Sequence, residues 1–404
     1  MTHACRPARE DGLLRLKNFV PRAGGAYAKS RNFDLGPDYR GNVSVLSPYL
    51  RHRLIGEDEV VRAVLSTHRI SAADKFIQEV CWRTYWKGWL EQRPGVWSDY
   101  LAELERDQDT LREFPDLATA HAAAIAGETG IAPFDAWAKE LVTTGYVHNH
   151  ARMWFASIWI FTLKLPWTLG ANFFYRNLLD GDPASNTLSW RWVAGLHTRG
   201  KHYVARADNI RTYTEGRFDP AGQLNEAPEP LDGPEAPPAT RLKTPMSIPP
   251  GEPVVLLVNE DDLTPERWPI DAAQVKGVAL LPADTSHPGL AEHVLAFRTA
   301  AIADTAARAE RFFGCPVTSL ATAEPDGAIA LCHAHGVEKL VTAQVPVGPS
   351  RETYDAFVEK LGGSGIAAME VRRNWDSAFW PYARAGFFKV KERIPETLER
   401  LGLM

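Results

Sequence analysis

The chain of 404 residues has only four cysteines, Cys5, Cys81, Cys315 and Cys332. None stands in a CxxC or Cys/His ligand spacing, so neither a zinc site nor a disulfide framework is expected. No GxGxxG follows a strand-like run and no Walker A motif occurs, so both common nucleotide fingerprints are missing. Long hydrophobic runs are missing too. The longest, Met153 to Leu163, is broken by Ser157 and Thr162 and falls short of the roughly 20 residues a membrane span needs. The opening MTHACRPARE has no apolar signal core, so the expectation is a reduced, cytoplasmic protein with no metal. Positive charge is also scarce. A net charge of −5 argues against indiscriminate nucleic-acid binding. Residues 1–225 nevertheless carry 28 Lys+Arg against 25 Asp+Glu, which leaves −8 for the remainder and permits a local basic groove in the first part.

Tryptophan is what the chain has in excess: 13 in all, ten of them before residue 200. Five fall in one stretch, Thr144 to Trp192, between two polar clusters. Asn149 shares a helical face with Arg152 and Met153. Beyond Trp154 the pattern is apolar nearly all round, which predicts a buried helix. A buried Arg152 needs an anion, and Asp180 and Asp182 are the candidates. The run Asp180-Gly-Asp-Pro-Ala-Ser-Asn186 looks like the start of a calcium loop, but its glycine is misplaced and no closing Glu follows. Upstream, apolar spacing predicts a helix over 72–91. There Glu79, Trp82, Arg83 and Trp86 present acid, ring and cation on one face; an aromatic core stripe with a surface ion pair is the simpler explanation of the residues alone. Ser44 and Ser47 precede a helix start and suit either a phosphate or an ordinary cap.

From Asp219 to Pro253 the chain carries ten prolines without periodicity, which predicts a semi-rigid linker. The pattern then changes. Short apolar runs at 253–258, 275–281 and 337–342 predict strands, and 293–313 and 351–361 predict helices. Strands alternating with helices imply a mostly parallel α/β sheet. The expected organisation is an all-α domain over 1–218, a linker over 219–252 and a smaller α/β domain over 253–404.

Taken together, Tyr27-x-x-x-Arg31, Val43-Ser-Val-Leu-Ser47, Glu79-x-x-Trp82-Arg83, Gly145-Tyr-x-His-Asn149-x-x-Arg152-Met153, Trp167 and Asp180-Gly-Asp-x-x-x-Asn186-x-x-x-Trp190-x-Trp192 resemble the photolyase/cryptochrome flavoproteins. The resemblance implies a helical domain that binds FAD. By it, Tyr27, Ser44, Val45, Leu46 and Ser47 hold the pyrophosphate; Arg83, Asn149, Arg152, Asp180, Asp182 and Asn186 complete the flavin contacts. Asp182 accepts from the ring's N–H edge, and Arg152 pairs with Asp180. Glu79, Trp82, Asn149, Met153 and Trp192 receive a flipped cyclobutane pyrimidine dimer, whose bases need ring stacking and hydrogen bonds at their edges. Glu79, Asn149 and Asn186 serve the chemistry, while Trp190 and Trp167 are inner members of an electron relay. Phe114 lies near the expected place of the outermost relay ring, and Trp97 is a substitute for it. His150 stands where the family usually has an arginine that grips a DNA phosphate. The α/β pattern follows the flavin domain instead of preceding it, as in a circular permutation. Residues 343–347 lack the acid with which some relatives hold an antenna, so the antenna chromophore stays unassigned. The resemblance thus implies blue-light repair of pyrimidine dimers in damaged DNA. The alternatives are a cryptochrome-like photoreceptor that signals to a protein partner, and a flavin domain with dark redox chemistry.

Overall fold

The computed structural model describes residues 5–283 and 289–404; residues 1–4, which begin the N-terminal stretch read above, lie outside the described residues. The chain divides into two compact units that do not follow chain order. The first gathers Arg22–Val45 and Arg93–Ala239, and the second Cys5–Pro21, Leu46–Gln92 and Thr240–Met404.

The first unit is helical, with no strand among its described residues. Its principal helices are Gly95–Glu113, Pro115–Ala126, Ala132–Thr144, Asn149–Ser157, Trp167–Asn177 and Pro183–Ala194. Proline opens or follows the opening of three of them (Pro115, Pro133, Pro183), where its missing N–H costs nothing. The expected apolar helix is buried, and it ends in a π-helical turn, Ile158–Thr162, whose first four residues are buried as well. Helix Trp167–Asn177 packs on Pro183–Ala194 and on Gly95–Glu113. Gly170 makes the first of these contacts possible: a Cβ there would come within 2.4 Å of the Trp190 ring. Between Tyr213 and Val254 there is neither helix nor strand, in keeping with the proline content.

The second unit carries a five-stranded parallel sheet. Its strands are β1 Val254–Val258, β2 Val275–Leu280, β3 Val317–Ser319, β4 Lys339–Ala343 and β5 Ala367–Val371, in the order β3-β2-β1-β4-β5. Three connections carry a helix: Glu292–Phe313, Asp326–Ala334 and Pro349–Leu361. One face of the sheet packs Val255, Leu257 and Leu340 against Leu331, Phe357 and Leu361. The N-terminal segment and the long helix Ile70–Glu91 belong to this unit. That helix is closed over by the C-terminal segment. Trp380 lies on Gly88, where a Cβ would meet its ring at 2.6 Å. Trp375 Nε1 donates to Thr84 Oγ1 at 2.8 Å, and Gln92 Nε2 donates to the Trp380 carbonyl at 3.0 Å.

Buried charge in this unit is organised into networks. Arg373 holds Asp262 through two bonds of 2.6 and 2.5 Å, and Arg53 donates to Asp376 at 2.7 Å. Arg298 holds Glu260 at 2.9 and 3.0 Å, while Arg51 pairs with Asp261. Burial alone would raise Asp262, but Arg373 and Arg53 hold it below the ordinary carboxylate range.

Candidate functional site

The two polar clusters of the tryptophan-rich stretch meet in the first unit. Helix Ala132–Thr144 stops at Gly145, which is left-handed (φ 68°). The chain then runs extended to His148, whose ring caps the next helix by accepting the His150 N–H at 3.2 Å. From that helix Arg152 reaches back: Nε donates to the Val147 carbonyl at 2.9 Å, and Nη2 donates to both Asp180 oxygens at 3.0 Å. The Leu179 N–H donates to the Gly145 carbonyl at 2.9 Å, which ties the second cluster to the first. Gly181 is required by a close backbone approach, since a Cβ would sit 2.8 Å from the Tyr175 carbonyl oxygen.

Of the two candidate partners for Arg152, Asp182 has another task. It is buried and caps helix Pro183–Ala194, accepting the Ser185 N–H at 2.7 Å. Asn186, one turn later, donates from Nδ2 to the Ala171 carbonyl at 2.7 Å. Asn149 is exposed, and Arg152 and Met153 are half-buried. An exposed amide, a half-open guanidinium and a capping carboxylate form a mixed donor and acceptor set. Such a set suits a flat ligand whose edge alternates N–H and carbonyl groups.

Tyr27 is buried and Ser44 half-buried. Val45 is left-handed at φ 50°, a costly conformation for a β-branched residue and one that clusters at functional sites. In the second unit Leu46 is buried, and Ser47 opens a helix of only five residues, Ser47–Arg51, without a side-chain cap. The helix start read from Ser44 and Ser47 is therefore brief, and its dipole is correspondingly small.

Trp190 is packed edge-on against Phe174 (5.2 Å), Trp159 (6.2 Å) and Phe155 (6.4 Å). Trp167 donates from Nε1 to Glu103 Oε1 at 2.8 Å and lies 5.5 Å from Tyr100, itself 5.3 Å from Trp97. Burial pushes the Glu103 carboxyl above its ordinary range. Trp192 stacks on Tyr203 at 5.7 Å. Phe114 is exposed.

His150 is turned inward. Its Nδ1 lies 3.0 Å from the Asn32 carbonyl oxygen and its Nε2 lies 3.3 Å from the Tyr203 hydroxyl, while the ring stacks on Trp154 at 4.0 Å. Burial, with the Arg31 charge adding to it, pushes its pKa down, so at neutral pH the residue offers no cation. Tyr203 and Asn32 were not legible as its partners, because no spacing rule links residues this far apart in sequence.

In the second unit Glu79 and Arg83 are half-buried on helix Ile70–Glu91. Trp82, also half-buried, is stacked by the Phe387 ring. Phe387 carries no sequence signal of its own, since aromatic residues near a chain end are common in cores. A cavity of about 820 Å³ opens in the first unit between Ala207 and Glu226, and none of the residues singled out from the sequence lines it. Among the described residues no group of His, Cys, Asp and Glu suits a metal ion, and no helix is long and apolar enough to cross a membrane.

Residues 76–226 match the family described as the FAD binding domain of DNA photolyase. The deoxyribodipyrimidine photo-lyase of Streptomyces griseus is 32% identical over 203 residues, covering 47% of this chain and 43% of the relative. That of Alkalihalophilus pseudofirmus is 29% identical over 229 residues, covering 54% and 46%. The chain therefore spans less than half the length of these relatives. Among solved structures, a bacterial class III photolyase from Agrobacterium tumefaciens is 26% identical, with a TM-score of 0.42 over 51% of this chain and 44% of that one. A Synechocystis cryptochrome is 23% identical, with a TM-score of 0.41 over 52% and 43%. Residues 76–226 thus match the FAD-binding domain of DNA photolyase, and the cofactor of this chain is FAD.

Proposed function

We propose that the chain is a blue-light-driven, FAD-dependent photolyase-like enzyme that splits cyclobutane pyrimidine dimers in DNA. The observation that carries the proposal is the match of residues 76–226 to the photolyase FAD domain. Relatives named deoxyribodipyrimidine photo-lyase add support. When bound, reduced FAD supplies the light-excited electron that opens a cyclobutane ring.

The first unit contributes Tyr27, Ser44 and Val45 toward the pyrophosphate, and Asn149, Arg152, Asp180, Asp182 and Asn186 toward the flavin ring. Asp180 keeps Arg152 oriented, and the helix cap holds the Asp182 side chain in place. Trp190 and Trp167 are the inner relay rings of this proposal, and Glu103 holds the Trp167 indole N–H. Met153 and Trp192 offer apolar surface to an extruded dimer. The resemblance alone assigns Leu46, Ser47 and Arg83 to the cofactor, and Glu79 and Trp82 to the lesion.

The test is repair of a UV-irradiated oligonucleotide by the reduced, FAD-loaded chain. Dimers should disappear under blue light and persist in the dark. A second reading, a cryptochrome-like receptor without repair, is favoured by one observation: His150 is held inward and neutral. Persistent dimers together with a light-induced change in oligomeric state would establish that second reading in place of the first.

A further inference from the structure

Trp82 is the ring that the proposed function assigns to an extruded base, and one of its faces is already taken. Phe387 lies on it with centroids 3.8 Å apart and planes inclined by 14°. These are the separation and tilt of a stacked base. Tyr85 closes the side of the pair, 5.5 Å from Trp82 and 5.7 Å from Phe387, edge-on to both. Trp86 leans on Trp82 at 5.3 Å and 36°. Phe387 is buried to 5% exposure, whereas its neighbour Phe388 is 73% exposed. The sequence thus sends one of two adjacent phenylalanines into the Trp82 face and leaves the other in solvent. All of these residues belong to the second unit.

The geometry points to Phe387 as a specificity-determining residue: a resident occupant of one Trp82 face that an extruded base stacking on that face has to displace. This inference rests on the assignment of Trp82 to the lesion. The physical reason is simple exclusion. A ring face holds one partner at van der Waals distance, and 3.8 Å leaves no space for a second. Displacement is feasible because Phe387 is held by a short element. It precedes the four-residue helix Phe388–Lys391, and it follows Gly386, beside which no heavy atom lies within 4 Å of a Cβ position. The native chain therefore discriminates irradiated from intact DNA less well than its Trp82 ring would allow. Stacking of one base on one ring is worth about five- to a hundredfold in affinity.

The experiment compares the full FAD-loaded chain with Phe387→Leu, Phe387→Ala and the exposed control Phe388→Ala, binding UV-irradiated and unirradiated oligonucleotide in the dark. Flavin absorbance of each sample reports that it is folded and loaded. Phe387→Leu keeps apolar volume should the alanine variant fail to fold. Both Phe387 variants should gain about tenfold in preference for irradiated DNA, Phe388→Ala should match the native chain, and adding Trp82→Ala should cancel the gain. If the native chain already prefers irradiated DNA and neither Phe387 variant improves on it, the inference fails and the proposed function stands. If no protein discriminates although flavin is retained, the assignment of Trp82 to the lesion fails and takes the inference with it.

Discussion

In the second unit Arg53, Arg373, Glu57, Asp262 and Asp376 share one buried network, whereas in the first unit Arg152 faces Asp180 and keeps 22% of its side chain in solvent. The first unit has a buried carboxylate with several donors as well: Asp34 accepts from Trp137 at 2.9 Å, Arg40 at 3.1 Å and Arg217 at 2.8 Å, with Arg217 keeping 32% of its side chain in solvent. The contrast is between charge that is fully enclosed and charge that is half open. Enclosed sets direct most of their hydrogen bonds to the protein's own groups and act on stability. A half-open cation beside an exposed amide retains capacity for a ligand.

The largest test of this contrast is Arg373→Ala. It leaves Asp262 buried without its principal partner and should cost about 3–5 kcal/mol in chemical denaturation. Replacing Arg373 and Asp262 together by apolar residues of similar volume should cost much less. A cost below about 1 kcal/mol for the single variant would remove the enclosed network from the scaffold.

A smaller effect is expected from buried histidine. Burial, with Arg40 and His150 adding to it against the pull of Asp34, pushes His148 down to about 4. Burial pushes His197 to about 4 as well, and His52 well below its ordinary value. The unfolded chain binds these protons near pH 6.5 and the folded chain only near pH 4. Between those values the unfolded state holds more protons, so stability falls as pH falls. His148→Asn keeps a side-chain acceptor at the helix cap and removes one titration. Its acid loss over that window should be shallower, and an unchanged slope would show that His148 does not carry its share. The smallest effect belongs to Arg199, paired with Asp232 at 65% and 88% side-chain exposure. Arg199→Ala should change stability by less than about 0.5 kcal/mol.

Local features were legible in the sequence. The apolar helix after Asn149 follows from a hydrophobic pattern that from Met153 to Leu163 is interrupted only by Ser157 and Thr162, and the need of Arg152 for a carboxylate follows from its place on that helix. Strand β1 is a continuous apolar run, and β2 and β4 are apolar apart from Lys276, Gly277, Lys339 and Thr342. Strand β3 is three residues long, and β5 reads Ala-Ala-Met-Glu-Val with Arg351 bound to its Glu370, so neither carries enough apolar pattern to stand out. What was not legible depends on distant partners. Nothing in Ile70–Glu91 says that Trp375, Trp380 and Phe387 will cover it, because its aromatic stripe satisfies any apolar surface. His150 likewise turns inward only because Asn32 and Tyr203 happen to meet it.

The carboxyl end of β1 has a consequence for any bound nucleotide. In the order β3-β2-β1-β4-β5 the chain reverses direction of winding beside β1, the place where open α/β sheets usually take nucleotides. Here Asn259, Glu260, Asp261 and Asp262 follow that strand and are all buried. The guanidinium groups of Arg51, Arg298 and Arg373 bind three of them. The crevice is self-liganded: the protein's own side chains stand where a dinucleotide's phosphates and ribose would. A nucleotide entering there would have to break ion pairs already out of water, and Arg51, from the N-terminal part of this unit, is one of the groups that fill the crevice.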